Sequence, residues 1–355
     1  MRRWLLVPAL LLLLPAASAA AQEPVELAKP GFDTYVGAAA GWTAWWARSG
    51  ARRAVLAVRA PDATVTRPVR AGRRIFPIDL GTDAGGRVVA AYSRCPGECV
   101  ISLLDLASGA ETKLPAAART AQTLVPSVAG GRVAYVTRPG RARTVRHVRR
   151  VRRGGRRVRV VRRVRLRSLG TVRVRDVGRG TETRVADGPF VAPALAAEAS
   201  AVGLDYDGET VAVNWTWPGA EVGGNVLSTT NWQINAYGAG GDRRVSRTQA
   251  LFGEEAVCPN SLAGPALLDG GVVYADVSLG GWVSLRDATG AGGAGTYAKA
   301  GDAGVPQVTS LAVDGPRLVV AEGPWNGNGD QAVVREYRHG GFANEYPQDF
   351  SSACT

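Results

Sequence analysis

The chain consists largely of short apolar runs that alternate with polar residues and are separated by turns containing glycine. A period of two is typical of strands with one buried face. Thr171–Val177 shows this alternation, whereas Gly86–Tyr92 is a short, mostly apolar run. No long stretch carries apolar residues at helical spacing. The pattern predicts an all-β protein.

One unit recurs along the chain: a turn with glycine, followed by a short apolar strand. Its copies begin at Gly41, Gly86, Gly131, Gly208, Gly271 and Gly315, with separations of 45, 45, 77, 63 and 44 residues. A second strand, a polar turn and a final strand follow, as in Val100–Leu106 and Glu111–Leu114. Four short strands in about 45 residues is the repeat of a propeller blade. Six copies predict a six-bladed β-propeller of four-stranded blades.

The order of turn, glycine, strand, gap, strand ending in aspartate, turn and strand resembles the TolB-like and WD40-like six-bladed propellers of exported bacterial proteins. The resemblance covers nearly the whole mature chain. The usual Ser-Pro-Asp-Gly turn of that family is replaced here by Thr82–Gly86 and Ser127–Gly131. Such propellers include binding modules, hydrolases and scaffolds, so the resemblance implies a fold and no single activity.

The N-terminal residues have the pattern of a secretory signal peptide. Arg2 and Arg3 precede the apolar run Trp4–Leu14, and small residues with a cleavage option at Ala17–Ala19 follow. The apolar run is too short to span a bilayer, and no later stretch is long enough to do so. We predict a signal peptide over residues 1–21, no transmembrane segment, and a secreted or extracytoplasmic monomer.

Two of the five separations exceed the period of about 45 residues, which indicates insertions. The surplus residues fall over 138–170 in the third blade and over 218–230 in the fourth, in each case between the second and third strands. We predict a propeller over 22–346 with these two insertions, followed by a C-terminal tail over 347–355. Such loops open onto one rim of a propeller, where function usually resides.

Four cysteines are present, and an exported chain meets oxidising conditions. Cys95 with Cys99 would close a tight loop, and Cys258 with Cys354 would hold the C-terminal tail. Metal binding is the weaker alternative, because the chain has only two histidines and no C-x-x-C motif. The sequence therefore predicts disulfides, with no metal and no cofactor.

The first insertion is strongly basic. Between Arg138 and Arg167 there are 15 arginines and no acidic residue, while the whole chain has a formal net charge of +13. A Gly154–Gly155 pair between two alternating valine-rich runs predicts a hairpin. Counting outward from this turn opposes three pairs of arginines on one face, with Val148 and Val161 interrupting them: Arg152 with Arg157, Arg150 with Arg159, and Arg146 with Arg163. These six arginines are the candidate polyanion-binding residues.

Three functions stay open. The first is a non-enzymatic exported binding or scaffold propeller, in which the basic hairpin engages anionic polymers or another envelope component. The second is a carbohydrate-active propeller, a hydrolase or lyase, with Trp217 and Trp325 on a ligand-binding rim. Asp205 is among the carboxylates that it could use, but no catalytic residue is assigned. The third is a protein-protein interaction scaffold.

Two further considerations bear on the basic hairpin. Arginine, alanine, glycine and valine abound in this chain, so a solvated loop that arose by codon drift is the alternative without a function. Sequence-specific recognition of nucleic acid is disfavoured, because the hairpin has no aromatic residue on which a base could stack.

Overall fold

A computed structural model describes residues 24–32, 34–50, 53–70, 75–94, 99–115, 122–153, 156–219, 226–253, 257–258, 261–277, 283–287, 295–298, 306–324 and 332–338. The predicted signal peptide over 1–21 and the C-terminal tail over 347–355 lie outside these residues. The described part is all-β apart from one short helix, α1 (Pro193–Glu198). The prediction of an all-β protein is therefore confirmed.

The strands form antiparallel sheets that follow one another along the chain. The earliest strand, β1 (Val25–Ala28), belongs to the last of these sheets. The first sheet contains β2 (Val36–Ala39), β3 (Trp42–Arg48), β4 (Ala54–Arg59) and β5 (Val65–Arg70). The second contains β6 (Ile78–Thr82), β7 (Val88–Arg94), β8 (Val100–Asp105) and β9 (Glu111–Lys113). In both sheets the strands lie side by side in chain order.

The third sheet departs from this order because a separate hairpin interrupts it. It contains β10 (Gln122–Ala129), β11 (Arg132–Arg138), β14 (Thr171–Asp176) and β15 (Glu182–Asp187). The intervening strands β12 (Ala142–Arg153) and β13 (Arg156–Ser168) form another sheet with β16 (Phe190–Val191). We call the paired strands β12 and β13 the arginine ribbon.

The remaining sheets again follow chain order. The fourth contains β17 (Ser200–Tyr206), β18 (Val211–Pro218), β19 (Val226–Gly238), β20 (Gly241–Gly253) and β21 (Val257–Cys258). The fifth contains β22 (Ser261–Leu268), β23 (Gly271–Val277), β24 (Val283–Asp287) and β25 (Gly295–Ala298). The last contains β26 (Pro306–Asp314), β27 (Arg317–Pro324) and β28 (Val333–Arg338), and its outer strand is β1. The two ends of the described chain therefore share one sheet.

The recurring glycines of the sequence form the turns between the first and second strands of several sheets. Backbone φ is positive at Ala40 and Gly41 (47° and 83°) and at Gly130 and Gly131 (55° and 75°). Two consecutive residues with positive φ define the tight hairpin turn that matches strand twist, and glycine adopts this conformation without steric cost. The sequence repeat thus reflects a repeated backbone requirement.

The apolar core lies between consecutive sheets. Within the described residues there are six buried clusters, one at each junction between neighbouring sheets, including the junction of the last sheet with the first. At the first junction, the rings of Trp46 and Tyr92 meet edge to face at 5.8 Å. At the closing junction, Val36 and Trp45 pack with Val319 and Val334. The first strand of each sheet also contacts the first strands of its neighbours, and β26 contacts β2.

The predicted second insertion over 218–230 is described only at its ends. Pro218 is the last residue of β18, and residues 226–230 are the first residues of β19. Beyond the pair Pro218–Thr230, β19 continues in contact with β20 alone. Part of the surplus length in the fourth sheet is therefore an extension of two strands of 13 residues each.

Candidate functional site

The base of the arginine ribbon is held by buried hydrogen bonds and packing. Ser168 is 1% exposed, its Oγ donates to the carbonyl oxygen of Gly188 at 3.0 Å, and its backbone N–H donates to Arg141 at 2.8 Å. The neighbouring Leu169 is fully buried in the core between the third and fourth sheets. Side chain and backbone thus fix the ribbon where it leaves the sheet.

Two more arginines hold the base from either side. The guanidinium of Arg138 donates to the carbonyl oxygens of Ala196 and Ala197 at 3.1 and 2.9 Å, near the end of α1. Arg143 lies over the ring of Phe190, with its guanidinium carbon 3.8 Å from the ring centroid. A cation over an aromatic face is attracted by the ring quadrupole. Arg138 and Arg143 therefore have structural partners at the base of the ribbon.

In the arm of the ribbon, which is the part beyond its base, arginines of one strand lie opposite arginines of the other. Strands β12 and β13 pair Arg152 with Arg157, Arg150 with Arg159, and Arg146 with Arg163, with Val148 opposite Val161 between them. All six side chains are exposed. None of the six makes an ion pair or hydrogen bond with any residue that the structure describes. The charge of these pairs is not neutralised by the described chain.

Three valines of the ribbon are open to solvent, and they lie on both faces. Val148 and Val161, between the arginine pairs, are 45% and 41% exposed, and Val164 on the opposite face is 38% exposed. Neither face of the arm is therefore covered by the sheets within the described chain. An isolated two-stranded ribbon is marginally stable, and opposed like charges weaken it further. The arm is a high-energy element that an anionic partner would stabilise.

A second polar site lies at the centre of the described sheets. The first strands of the six sheets line a cavity of about 300 Å³, into which polar residues of several strands face. Its walls include Asp79 of β6 and Asp205 of β17. Neighbouring first strands approach closely here. A Cβ on Gly81 would lie 1.7 Å from the carbonyl oxygen of Val128, and one on Gly203 would lie 2.1 Å from that of Gly264.

Two carboxyl groups and one hydroxyl meet beside this cavity. The Oγ of Ser127, on β10, lies 2.7 Å from Oδ2 of Asp79 and 3.3 Å from Oδ1 of Asp205. Asp79 Oδ2 also accepts the backbone N–H of Val128 at 2.9 Å. Asp205 accepts the N–H of Tyr206 at 2.7 Å and that of Leu267 at 2.5 Å. These bonds connect the second sheet to the third and the fourth sheet to the fifth.

Burial changes the titration of both carboxyl groups. Both residues keep partial exposure to the cavity, but protein atoms surround their carboxyl groups. Burial raises the pKa of Asp79 well above its ordinary value, and the charge of Asp205 raises it further. Burial also raises the pKa of Asp205, against the lowering effect of the N–H groups of Leu267 and Tyr206. The Ser127 hydroxyl has one proton and lies near oxygens of two carboxyl groups, so it can donate to only one of them. A proton on a carboxyl group supplies the second hydrogen bond of this trio.

Comparison with solved structures gives likenesses of fold. TolB from Acinetobacter baumannii is 15% identical with a TM-score of 0.41, and the match covers 84% of this chain and 63% of TolB. A mitotic checkpoint complex chain is 14% identical with a TM-score of 0.46, and the match covers 94% of this chain and 99% of that one. A puromycin hydrolase is 14% identical with a TM-score of 0.45, covering 86% of this chain and 52% of the hydrolase.

These likenesses agree with the all-β set of antiparallel sheets, so the resemblance to TolB-like and WD40-like propellers is confirmed at the level of architecture. The chain spans less than two thirds of the length of TolB and of the puromycin hydrolase. These likenesses concern the fold and do not indicate what the chain binds or does. No family model and no curated protein sequence matches the chain.

Trp217 was expected on a ligand-binding rim, but the structure places it in the core. Its ring is 5% exposed and lies in the core between the third and fourth sheets with Trp215. The guanidinium carbon of Arg247 lies 5.7 Å from the ring centroid. The alternation of β18 turns both tryptophans inward, so Trp217 has no open face for a sugar. Trp325 lies outside the described residues.

Of the trio at the cavity, sequence reasoning named Asp205 alone. Asp79 and Ser127 were not singled out, because each lies between apolar neighbours in a short strand and belongs to no motif. The usable signal is that position itself: an acidic residue within a first strand of the repeat has no reason to be buried unless a neighbouring sheet offers it hydrogen-bond donors. Within the described first strands, Asp79 on β6 and Asp205 on β17 occupy such positions, while Asp314 is the last residue of β26.

The cysteines are described in part. Cys99 is disulfide-bonded. Cys95 and Cys354 lie outside the described residues, and so does the side chain of Cys258, so the pairing of Cys95 with Cys99 and of Cys258 with Cys354 stays a prediction. In the described ranges, no group of three or more histidine, cysteine, aspartate or glutamate residues is arranged to hold a metal ion. No helix there is long and apolar enough to cross a membrane.

Proposed function

We propose that this chain is an exported six-bladed propeller that acts without catalysis, as a binding scaffold whose arginine ribbon engages anionic polymers of the cell envelope. In this proposal the six consecutive sheets are the blades, and β1 closes the ring by joining the last blade. The export rests on the signal-peptide pattern over residues 1–21.

One observation carries the binding role: three opposed arginine pairs stand exposed on an arm, with no acidic partner among the described residues. Like charges directly opposite each other destabilise a strand pair. A polyanion would remove this repulsion and accept charge-assisted hydrogen bonds from the guanidinium forks. Displacement of counterions from the polymer adds to the affinity. The base of the ribbon supports the same role, because it fixes the direction of the arm before a ligand arrives.

The test is a chain with a shortened ribbon. Residues 144–165 are removed, and Arg143 and Leu166, which face each other across the ribbon, are joined by an Asn-Gly turn. This deletion leaves Arg138, Ser168 and Leu169 in place, so the base and the sheet core persist. We expect the intact chain to be retained on an immobilised anionic polymer at low salt and the shortened chain to flow through. Equal retention of two folded chains would exclude the proposal.

A carbohydrate-active propeller is the second candidate, and the convergence of Asp79 and Asp205 beside the cavity favours it. A pair of carboxyl groups with different titration is what glycoside hydrolysis requires. Against this, oxygens of both groups already accept backbone N–H groups of neighbouring strands, which is what a structural latch requires. The test is turnover of anionic and neutral polysaccharides by the intact chain and by the Asp79→Asn and Asp205→Asn variants. Turnover that both substitutions abolish would establish this candidate.

A protein partner is the third candidate, and the same ribbon would serve it. Apart from the short contact with β16 at its base, the outer edges of β12 and β13 are not paired with another described strand. Such an edge can add to the sheet of another protein. Size-exclusion chromatography with envelope extracts treated to remove anionic polymers distinguishes this candidate, because a protein complex would survive the treatment.

A further inference from the structure

The two faces of the arginine ribbon are chemically different. The face that carries the three opposed arginine pairs is defined here as the basic face, with residues Arg146, Val148, Arg150, Arg152, Arg157, Arg159, Val161 and Arg163. On the opposite face, Val145 stands across from Val164, and Arg162 stands across from His147. Only beside the turn does this face oppose two arginines, Arg153 with Arg156. The basic face therefore carries three opposed arginine pairs, and the opposite face carries one.

The spacing of this array of arginine pairs is set by strand geometry. Successive pairs on one face are two residues apart, which is about 6.8 Å along an antiparallel ribbon, and the Cβ atoms of a pair are about 5 Å apart. Arg150 with Arg159 and Arg152 with Arg157 are consecutive pairs of this kind. Over these two consecutive pairs the basic face carries two positive charges per step of about 6.8 Å, or one per about 3.4 Å of axis, and the uncharged pair of Val148 with Val161 separates them from the third arginine pair.

We infer that the basic face binds a linear chain of directly linked phosphate groups, which lies along the ribbon axis between the two rows of guanidinium groups. This inference rests on the proposed function and names its ligand class. It follows from charge density. A chain of directly linked phosphates places anionic groups close enough together to neutralise both members of each pair, whereas a polysaccharide with one carboxylate per sugar ring leaves part of the array uncompensated.

The chemistry of the donors points the same way. Each guanidinium offers a planar fork that matches the two outer oxygens of a phosphate. The opposed arginines come from the two strands β12 and β13, so their guanidinium groups can hold a narrow chain from both sides. The strip contains no aromatic ring, and the exposed Val148 and Val161 offer no hydrogen bonds. Contacts with a nucleobase therefore have no support here, and a chain made of phosphate alone needs none.

The experiment compares two doubly substituted chains that lose the same charge. Arg150→Gln with Arg159→Gln removes one opposed pair from the basic face. Arg156→Gln with Arg162→Gln removes two exposed arginines from the opposite face, and neither of them makes an ion pair with the described chain. Binding to sodium polyphosphate of defined length is measured by fluorescence anisotropy over a series of salt concentrations. Polygalacturonate, polyglutamate and single-stranded oligothymidylate of equal length are the comparison polymers.

We expect the intact chain to prefer polyphosphate to polygalacturonate by about tenfold or more at equal salt. The pair variant should lose about tenfold in affinity and lower the salt slope of log K by about 1.4, which corresponds to two lost phosphate contacts. The opposite-face variant should keep most of its affinity and its slope. Circular dichroism spectra matching those of the intact chain confirm that both variants are folded.

Three outcomes would overturn the inference. Equal losses in the two variants would mean that total charge binds and the basic face does not, while the proposed function would stand. Equal or tighter binding of polygalacturonate or oligothymidylate would assign the array to another polymer. Absence of binding of the intact chain to every polymer would remove the proposed function itself, and is thereby distinguishable from failure of the inference alone.

Discussion

The arginine ribbon and the Asp79–Ser127–Asp205 trio both bring like charges together, but they handle the repulsion in different ways. On the ribbon, Arg150 and Arg159 stay charged and face solvent. Beside the cavity, burial raises the pKa of Asp79 well above its ordinary value, so a proton can replace one of the two charges. An exposed pair thus needs an outside partner, whereas a buried pair is served by a proton and a shared hydroxyl.

The surroundings account for this difference. Two unit charges about 5 Å apart interact by about 0.8 kcal/mol in bulk water and by about 3 kcal/mol at an effective dielectric constant of 20. Repulsion of the first size is tolerable in a surface arm and is screened by salt. Repulsion of the second size is not, so the buried pair titrates instead. The same contact therefore supports the proposed binding role in one place and a structural coupling between sheets in the other.

Salt should separate the two regions most strongly. Raising the salt concentration from 50 to 200 mM should weaken polyanion binding by the ribbon about 100-fold or more, because counterion release from several phosphates drives it. Urea unfolding of the same protein should shift little, because the buried trio is poorly screened. Polyphosphate titrations and urea curves at the two salt concentrations provide the measurement. Binding that is indifferent to salt would remove the electrostatic interpretation of the ribbon.

Removal of a buried acceptor should have the next largest effect. Asp205→Ala leaves the N–H groups of Tyr206 and Leu267 without their acceptor, which should cost about 2 kcal/mol of unfolding free energy. Asp205→Asn is the matched control, because its carbonyl oxygen can still accept one of these bonds. Urea denaturation at pH 7 measures both. A smaller loss for alanine than for asparagine would contradict the role of Asp205 as a latch between sheets.

The ribbon shows why part of this molecule could be predicted from sequence. Its alternation is local, and the register follows from counting outward from one Gly-Gly turn. The structure pairs the same residues, from Arg152 with Arg157 to Val145 with Val164. The recurring glycines likewise correspond to turns with positive φ, as at Gly41 and Gly131. Such signals lie within a few residues of one another.

The trio shows why the rest could not be predicted. Asp79 and Asp205 come from sheets two apart in the chain, and each acquires its partners only when first strands from other sheets approach. Nothing near Asp79 in the sequence records this proximity. Trp217 is the converse case, since a tryptophan beside a surplus loop suggests a rim, while the alternation of β18 turns it into the core. Contacts between sheets decide both residues.

The pH dependence of stability should have a moderate size and a definite sign. A carboxyl group whose pKa is raised in the folded state binds protons more readily when folded, so it favours folding at low pH. This contribution is lost as the pH rises from about 4, the ordinary aspartate value, through the raised pKa of Asp79. Asp79→Asn cannot titrate, so the difference in unfolding free energy between the intact chain and this variant should change across pH 4.5 to 8 in favour of the variant.

This comparison also removes the opposite contribution of other carboxyl groups. The pKa values of Asp83 and Asp105 are lowered by hydrogen bonds from the backbone, so their stabilisation is lost only as the pH falls below the ordinary aspartate range. Both groups are present in the intact chain and in the variant, and their contributions cancel in the difference. A difference that stays flat over pH 4.5 to 8 would mean that the carboxyl groups beside the cavity do not share a proton.

The smallest expected effect concerns the ribbon in the absence of a ligand. Arg152→Gln with Arg157→Gln removes one opposed pair at the far end of the arm, and this should stabilise the pairing of β12 with β13 by about 0.2 to 1 kcal/mol at low salt. Hydrogen exchange of the amides in residues 146–163 reads out this local gain, since opening of the arm does not require unfolding of the sheets. The gain should vanish at high salt or when polyphosphate is added to the intact chain, because both neutralise the same repulsion. Exchange could slow in the variant as much at high salt as at low salt. In that case strand propensity, and not charge repulsion, limits the stability of the ribbon, and charge no longer explains its difference from the buried aspartates.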